Sequence, residues 1–170
     1  LESVVRAMRP GIGRGVVLEC IIVDGGTALD QDRAGFEQVV TNLITNAAHA
    51  APRGGRVTLR AGREGDEYVI AVSDDGAGIP AELLSRIFEP FFTTKATGQG
   101  VGLGLSVSLG IVQEHGGRLE ASNGPGGEGA CFTVRLPVST KPPAPLTPPI
   151  GVPVVGGRMP TPSPDAPGLL

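Results

Sequence analysis

The chain has 170 residues, 40% of them hydrophobic, enough to build one domain with its own core. Its net charge of −3 comes without a basic block, which gives no indication of a nucleic-acid surface, and no apolar run is long enough to cross a bilayer. The N-terminus lacks a signal-peptide pattern, so the expectation is a soluble, cytoplasmic piece whose longer parent protein remains free to be membrane-anchored. Ten of the 16 prolines lie in residues 140–170, a stretch with no aromatic residue and no periodicity. The expected organisation is therefore a folded domain over residues 1–138 and a Pro-rich disordered linker or tail over residues 139–170.

VVLECIIV (16–23) is β-rich and reads as a strand; its Cys20, like Cys131 later, sits far from any CxxC spacing and reads as a buried free thiol. Asp32 is placed to cap a helix in which Phe36, Val39, Val40, Leu43, Ile44 and Ala47 fall on one face, ending near Ala51 before Pro52. RVTLRA (56–61) and EYVIAVS (67–73) alternate about a short GREGD turn and predict a hairpin. After the loop DDGAGIP, Pro80 is set to start a short helix AELLSRIF. The segment GQGVGLGLS leads into a second long helix, closed by Gly116 at a left-handed cap, and RLEAS and ACFTVRL flank NGPGGEG as a final hairpin. The predicted fold class is α+β: a two-layer α/β sandwich, its mixed, mostly antiparallel sheet carrying helices on one face.

Gly98, Gly100, Gly102 and Gly104 stand at every second position, which marks a backbone that bends, moves or lets a ligand approach. Two familiar phosphate motifs fail on spacing. A G-x-G-x-x-G pattern started at Gly98, Gly100 or Gly102 meets Leu103, Leu105 or Val107 at its sixth position, and no Gly-Lys-Ser/Thr tripeptide occurs. Elsewhere, Asn42 and Asn46 stack on one helix face with His49 three further on. They are either neutral oxygen ligands of the kind Mg²⁺ accepts or two solvated amides. Asp74, with Gly76 and Gly78, is either a strand-end carboxylate that receives an exocyclic amine beside a flat ring or ordinary turn chemistry. In RIFEPFFTTK, Phe88, Phe91 and Phe92 read as anchors of a loop to the core, and Thr93, Thr94 and Lys95 as hydroxyls and a cation suited to phosphates.

Taken in order, QVVTNLITNAAHA, VSDDGAGIP, RIFEPFFTTK and GQGVGLGLSVSLGIVQEHGG resemble the asparagine, first glycine, phenylalanine and second glycine boxes of the ATP-binding catalytic domain of sensor histidine kinases. The resemblance covers residues 1–138, and the wider superfamily includes DNA gyrase, Hsp90 and MutL. It implies ATP and Mg²⁺ as cofactors, with Asp74 reading the adenine amine, Asn46 holding the metal, and Asn42 supporting the metal and phosphate end. It places Gly76, Gly78 and Ile79 at the base, Thr93, Thr94 and Lys95 near the phosphates, and Thr133 within reach of adenine through water. By the same mapping Gly98, Gly100, Val101, Gly102, Leu103, Gly104 and Leu105 form the end of a flexible ATP lid and the start of the helix beneath the phosphates. Two departures stand out: Val101 replaces a frequent threonine, and His49 stands where relatives often carry lysine, so that it either touches ATP or is an exposed helix residue.

Relatives that hydrolyse ATP carry glutamate where Asn42 stands, and a neutral amide cannot serve as that base. The resemblance therefore implies transfer of the γ-phosphoryl group to a histidine. Neither His49 nor His115 lies in a dimerisation hairpin, so no phosphoacceptor is expected in this chain. LESVVRAMRP reads as the end of the link to such a hairpin. The implied partners are the dimerisation and phosphoacceptor domain of the parent protein and a response-regulator receiver domain, with no nucleic acid and no membrane contact. The alternative is a nucleotide-sensing interaction module without kinase activity.

Overall fold

The computed structural model describes residues 2–8, 13, 15–23, 33–94 and 101–138. Asp32, Lys95, Gly98, Gly100 and the whole Pro-rich stretch 139–170 lie outside the described residues.

The elements run α1 (Glu2–Met8), β1 (Val17–Val23), α2 (Arg33–Ala50), β2 (Arg56–Glu64), β3 (Glu67–Asp74), α3 (Gly104–Glu114), β4 (Arg118–Asn123) and β5 (Ala130–Pro137). The strands form one sheet in the order β1-β2-β3-β5-β4. Only β1 and β2 pair in parallel; the other pairings are antiparallel. Parallel neighbours need a long crossover, and α2 supplies it. The predicted hairpin between β2 and β3 is longer than its sequence blocks, with Glu64 opposite Glu67, so its turn shrinks to Gly65-Asp66. Gly65 takes the left-handed φ of 61° that this tight loop requires.

Every apolar position expected on α2 is buried: Val39, Val40, Leu43 and Ile44 are wholly inaccessible and Phe36 and Ala47 nearly so. They pack on the inner face of the sheet, which alternation assigns to Val57 and Leu59 of β2, Ile70 and Val72 of β3, and Phe132 and Val134 of β5. On the outer face Arg118 donates to both carboxylate oxygens of Glu67 while Arg135 donates to Glu64 and Glu67. These pairs lower the pKa of Glu67, Arg118 contributing most. Within the segment read as the end of a link, α1 buries Val4 and Val5 in the core.

Two further expectations are corrected. Residues 81–88 form a run of hydrogen-bonded turns and not a helix, since the carbonyls of Pro80, Ala81 and Leu83 mostly accept amides three residues on. A segment this short has little cooperative drive toward α-helix, and Ile87 and Leu83 are held by packing. Phe91 does not anchor the loop; it is 70% exposed with φ at 66°, while Phe88 and Phe92 pack against the core. The α3 terminus follows expectation in full. Gly116, with φ of 70°, donates to the Gln113 carbonyl and Gly117 donates to that of Val112, closing a Schellman cap. Neither cysteine forms a disulfide, and each is half-buried.

Candidate functional site

A cavity of about 1170 Å³ opens between α2, the loop after β3, the turns at 81–88 and the start of α3. At one end lies Asp74. Its pairing with Val57 at the end of β3 turns it to the inner face of the sheet, into the cavity wall. Oδ1 accepts the amides of Gly76 (2.9 Å) and Ala130 (3.3 Å). Oδ2 is buried and accepts no hydrogen bond from the described residues. Burial raises the Asp74 pKa; the two amide bonds oppose that shift and neighbouring Asp75 adds to it. An unsatisfied buried carboxylate oxygen is costly to keep, so its retention in a cavity wall points to a donor arriving from outside.

The glycines beside it are required by the protein itself. A Cβ on Gly76 would stand 2.6 Å from the Ala50 carbonyl oxygen, and one on Gly78, where φ is 75°, would stand 2.3 Å from that of Gly127. Close packing of this loop against α2 and the β4–β5 connection thus fixes both. Gly78 and Ile79 line the cavity, whereas Gly76 acts through its amide on Asp74.

At the opposite end, Gly102, Leu103, Gly104 and Leu105 bring the first turn of α3 to the wall. Leu103 gives this terminus no side-chain cap, and its first turn holds no acidic residue. The free amides and the helix dipole together make a favourable place for anionic oxygens. Gly102 has φ of 72°, and a Cβ there would meet Phe92 O and Phe91 C, each at 2.6 Å. Its carbonyl accepts the Phe91 amide at 3.0 Å, which ties the phenylalanine-rich loop to the start of α3.

Asn46 and His49 of α2 line the cavity, as do Thr93, Thr94 and the exposed Val101. Asn42 stands behind the wall. Its Nδ2 donates to Gly104 O and to Ser108 Oγ, each at 3.3 Å, and so joins α2 to α3. Among the described residues no group of three or more His, Cys, Asp or Glu side chains is arranged to hold a metal ion. The neutral donors of this region suit a hard cation that brings phosphate oxygens with it, as Mg²⁺ does.

Thr133, expected within reach of the base, does not line the cavity. It pairs with Ala71 and Glu120 on the outer face, away from Asp74. The residues of β5 that reach the cavity are Ala130 and Phe132, joined by Leu83 and Ile87 from the turns. Alternation in ACFTVRL, with Thr133 in step with Arg135, carries that signal. No helix among the described residues is long and apolar enough to cross a membrane.

The family model for histidine kinase-, DNA gyrase B-, and HSP90-like ATPases matches residues 31–140. The alginate biosynthesis sensor protein KinB of Pseudomonas aeruginosa is 41% identical over 133 residues, covering 78% of this chain and 22% of that protein. The sensor histidine kinase ZraS of Klebsiella oxytoca is 47% identical over 111 residues, covering 65% of this chain and 23% of that protein. Among solved structures, the catalytic domain of histidine kinase ThkA aligns with a TM-score of 0.69 at 31% identity, over 81% of this chain and 91% of that one. Full-length ShkA in complex with AMPPNP aligns with a TM-score of 0.70 at 27% identity, over 80% of this chain and 28% of that one. The chain thus spans less than a quarter of the length of these two curated relatives.

Proposed function

We propose, for a chain that belongs to the family of histidine kinase-, DNA gyrase B- and HSP90-like ATPases, that its cavity binds ATP for phosphoryl transfer to a histidine on a separate domain. The observation that carries this reading is Asp74 Oδ2, a buried acceptor in the cavity wall without a partner among the described residues. An adenine amine is a donor suited to it, and a base seated there directs the phosphates along the cavity toward α3.

In this reading the chain's part in the chemistry is placement and charge, as phosphoryl transfer requires. Asp74 orients the base. The amides at the start of α3 receive phosphate oxygens, with Thr93 and Thr94 as hydroxyl donors and Lys95 as a cation. Asn46 holds Mg²⁺, which when bound neutralises charge on the phosphate oxygens. Asn42 keeps α3 in position through Gly104 and Ser108. Gly98, Gly100 and Gly102 are assigned to a lid over the nucleotide, the first two lying outside the described residues, while His49 and Val101 line the cavity. Asp74 is the single carboxylate among the described lining residues. It sits at the base end, so among the described lining residues none at the phosphate end offers a carboxylate to activate water, which favours transfer over hydrolysis.

The acceptor belongs to a dimerisation domain of a longer parent protein in the cytoplasm, and the phosphoryl group passes on to a response regulator. ThkA, one of the structural neighbours, has been solved in complex with the response regulator TrrA. A second reading, a nucleotide-sensing module without kinase activity, is favoured by Val101, which offers the phosphates no hydroxyl. Incubating the chain with γ-labelled ATP, Mg²⁺ and a supplied dimerisation domain decides between them. Label on the acceptor histidine supports the kinase; nucleotide binding without label supports the sensor.

A further inference from the structure

Outside the four boxes, the structure holds a side chain that grips the adenine-end loop from another part of the fold. Asn123 ends β4, 44 residues from Ile79. Its Oδ1 accepts the Ile79 amide at 2.8 Å, and its Nδ2 donates to the Ile79 carbonyl at 2.7 Å. The backbone groups of Ile79 can act in only one sense each, so the orientation of the Asn123 amide is fixed. The side chain thereby completes both main-chain hydrogen bonds of a cavity-lining residue, as a neighbouring strand would.

The contact belongs to a larger clamp. The Gly129 amide donates to Gly76 O at 2.8 Å, and the Ala130 amide donates to Asp74 Oδ1. A Cβ on Gly78 would lie 3.1 Å from Asn123 Oδ1, so loop and clamp are in close contact. Asp74, Gly76 and Ile79 are thus all held from the β4–β5 connection, with Asn123 supplying the side-chain part.

We propose that Asn123 is a positioning residue for base recognition: it holds Ile79 so that the loop from Asp74 to Pro80 keeps the shape that admits the nucleotide base. The inference rests on the nucleotide reading above. Removing both bonds leaves two half-buried backbone groups unpaired and the loop free on one side. The phosphate end, built on α3, is untouched.

The test compares the parent protein with Asn123→Ala and Asn123→Asp. Without nucleotide, the Ile79 amide is expected to exchange with solvent at least about tenfold faster in Asn123→Ala than in the parent. In titrations, ATP affinity is expected to fall about tenfold or more in Asn123→Ala. Asn123→Asp is expected to fall at least as far, because a carboxylate oxygen then faces the Ile79 carbonyl. Affinity for magnesium tripolyphosphate, which has no base, is expected to stay within about twofold of the parent. Unchanged Ile79 exchange, unchanged ATP affinity, or an equal loss of tripolyphosphate affinity would each overturn the assignment. Failure of the parent to bind ATP would overturn the nucleotide reading itself, and the clamp's role in base recognition with it.

Discussion

Asn42 and Ser108 meet across the α2–α3 interface, the amide of one donating to the hydroxyl of the other at 3.3 Å, and the Ser108 hydroxyl in turn donates to Gly104 O at 2.8 Å. Gly104 O receives Asn42 as well, so three polar groups close on one another beneath the first turn of α3. Ser108 is wholly buried, which makes the network costly to break.

Asn42→Asp puts carboxylate oxygens where the network needs a donor. The expected cost is about 1–3 kcal/mol, seen as a fall of several degrees in Tm. Ser108→Ala, which leaves Asn42 its bond to Gly104, is expected to cost less. Thermal melts of the two variants beside the parent check the order; equal or negligible losses would mean that the interface rests on apolar packing alone.

Asp74→Asn keeps an oxygen for the Gly76 and Ala130 amides but turns an NH₂ toward the incoming amine. ATP affinity is expected to fall by about 1.5–3 kcal/mol, or roughly 10- to 150-fold, in calorimetric titration. Stability is expected to move the other way. The folded-state pKa of Asp74 is raised, chiefly by burial, so the folded protein holds this proton more tightly than the unfolded chain. Its contribution to stability is full below the ordinary aspartate range and is lost as pH rises through the folded value. Asp74→Asn is therefore expected to gain in Tm over the parent at neutral pH, with the gain shrinking on acidification; a gain independent of pH would contradict the assignment.

Asn46→Ala is expected to remove most of the Mg²⁺ enhancement of nucleotide binding, since a methyl group offers no oxygen ligand. Titrations with and without Mg²⁺ measure the enhancement. The same ratio in variant and parent would take Asn46 out of the metal site.

Gly102→Ala forces a Cβ against the Phe91–Phe92 backbone at a left-handed φ, a conformation that costs a non-glycine residue about 1–2 kcal/mol. The Phe91–Gly102 hydrogen bond is expected to give way, slowing transfer and weakening ATP binding far more than it lowers Tm. Equal losses in both would make Gly102 a residue of the scaffold.

The layers of this fold were legible because burial and period agree. On α2 the six spaced apolar residues are the buried ones, and at α3 Gly116 sits where a left-handed cap must. Phe91 escaped, being exposed where an anchor was expected, and so did three other features. The turns at 81–88 carry a helix-like composition but are fixed by packing of Leu83 and Ile87. Thr133 depends on which face of β5 is inward, and the inward series Ala130, Phe132, Val134 and Leu136 excludes it. Asn123 lies in a glycine-rich turn sequence, and its partner Ile79 is brought to it only by the folded sheet.

The central claim, that an adenine nucleotide occupies this cavity with its base on Asp74, is tested most directly by a crystal structure of the chain with Mg²⁺ and a non-hydrolysable ATP analogue. The account predicts the exocyclic amine within hydrogen-bonding distance of Asp74 Oδ2 and the phosphates at the first turn of α3. A base bound elsewhere, with Asp74 Oδ2 still lacking a donor, would contradict it.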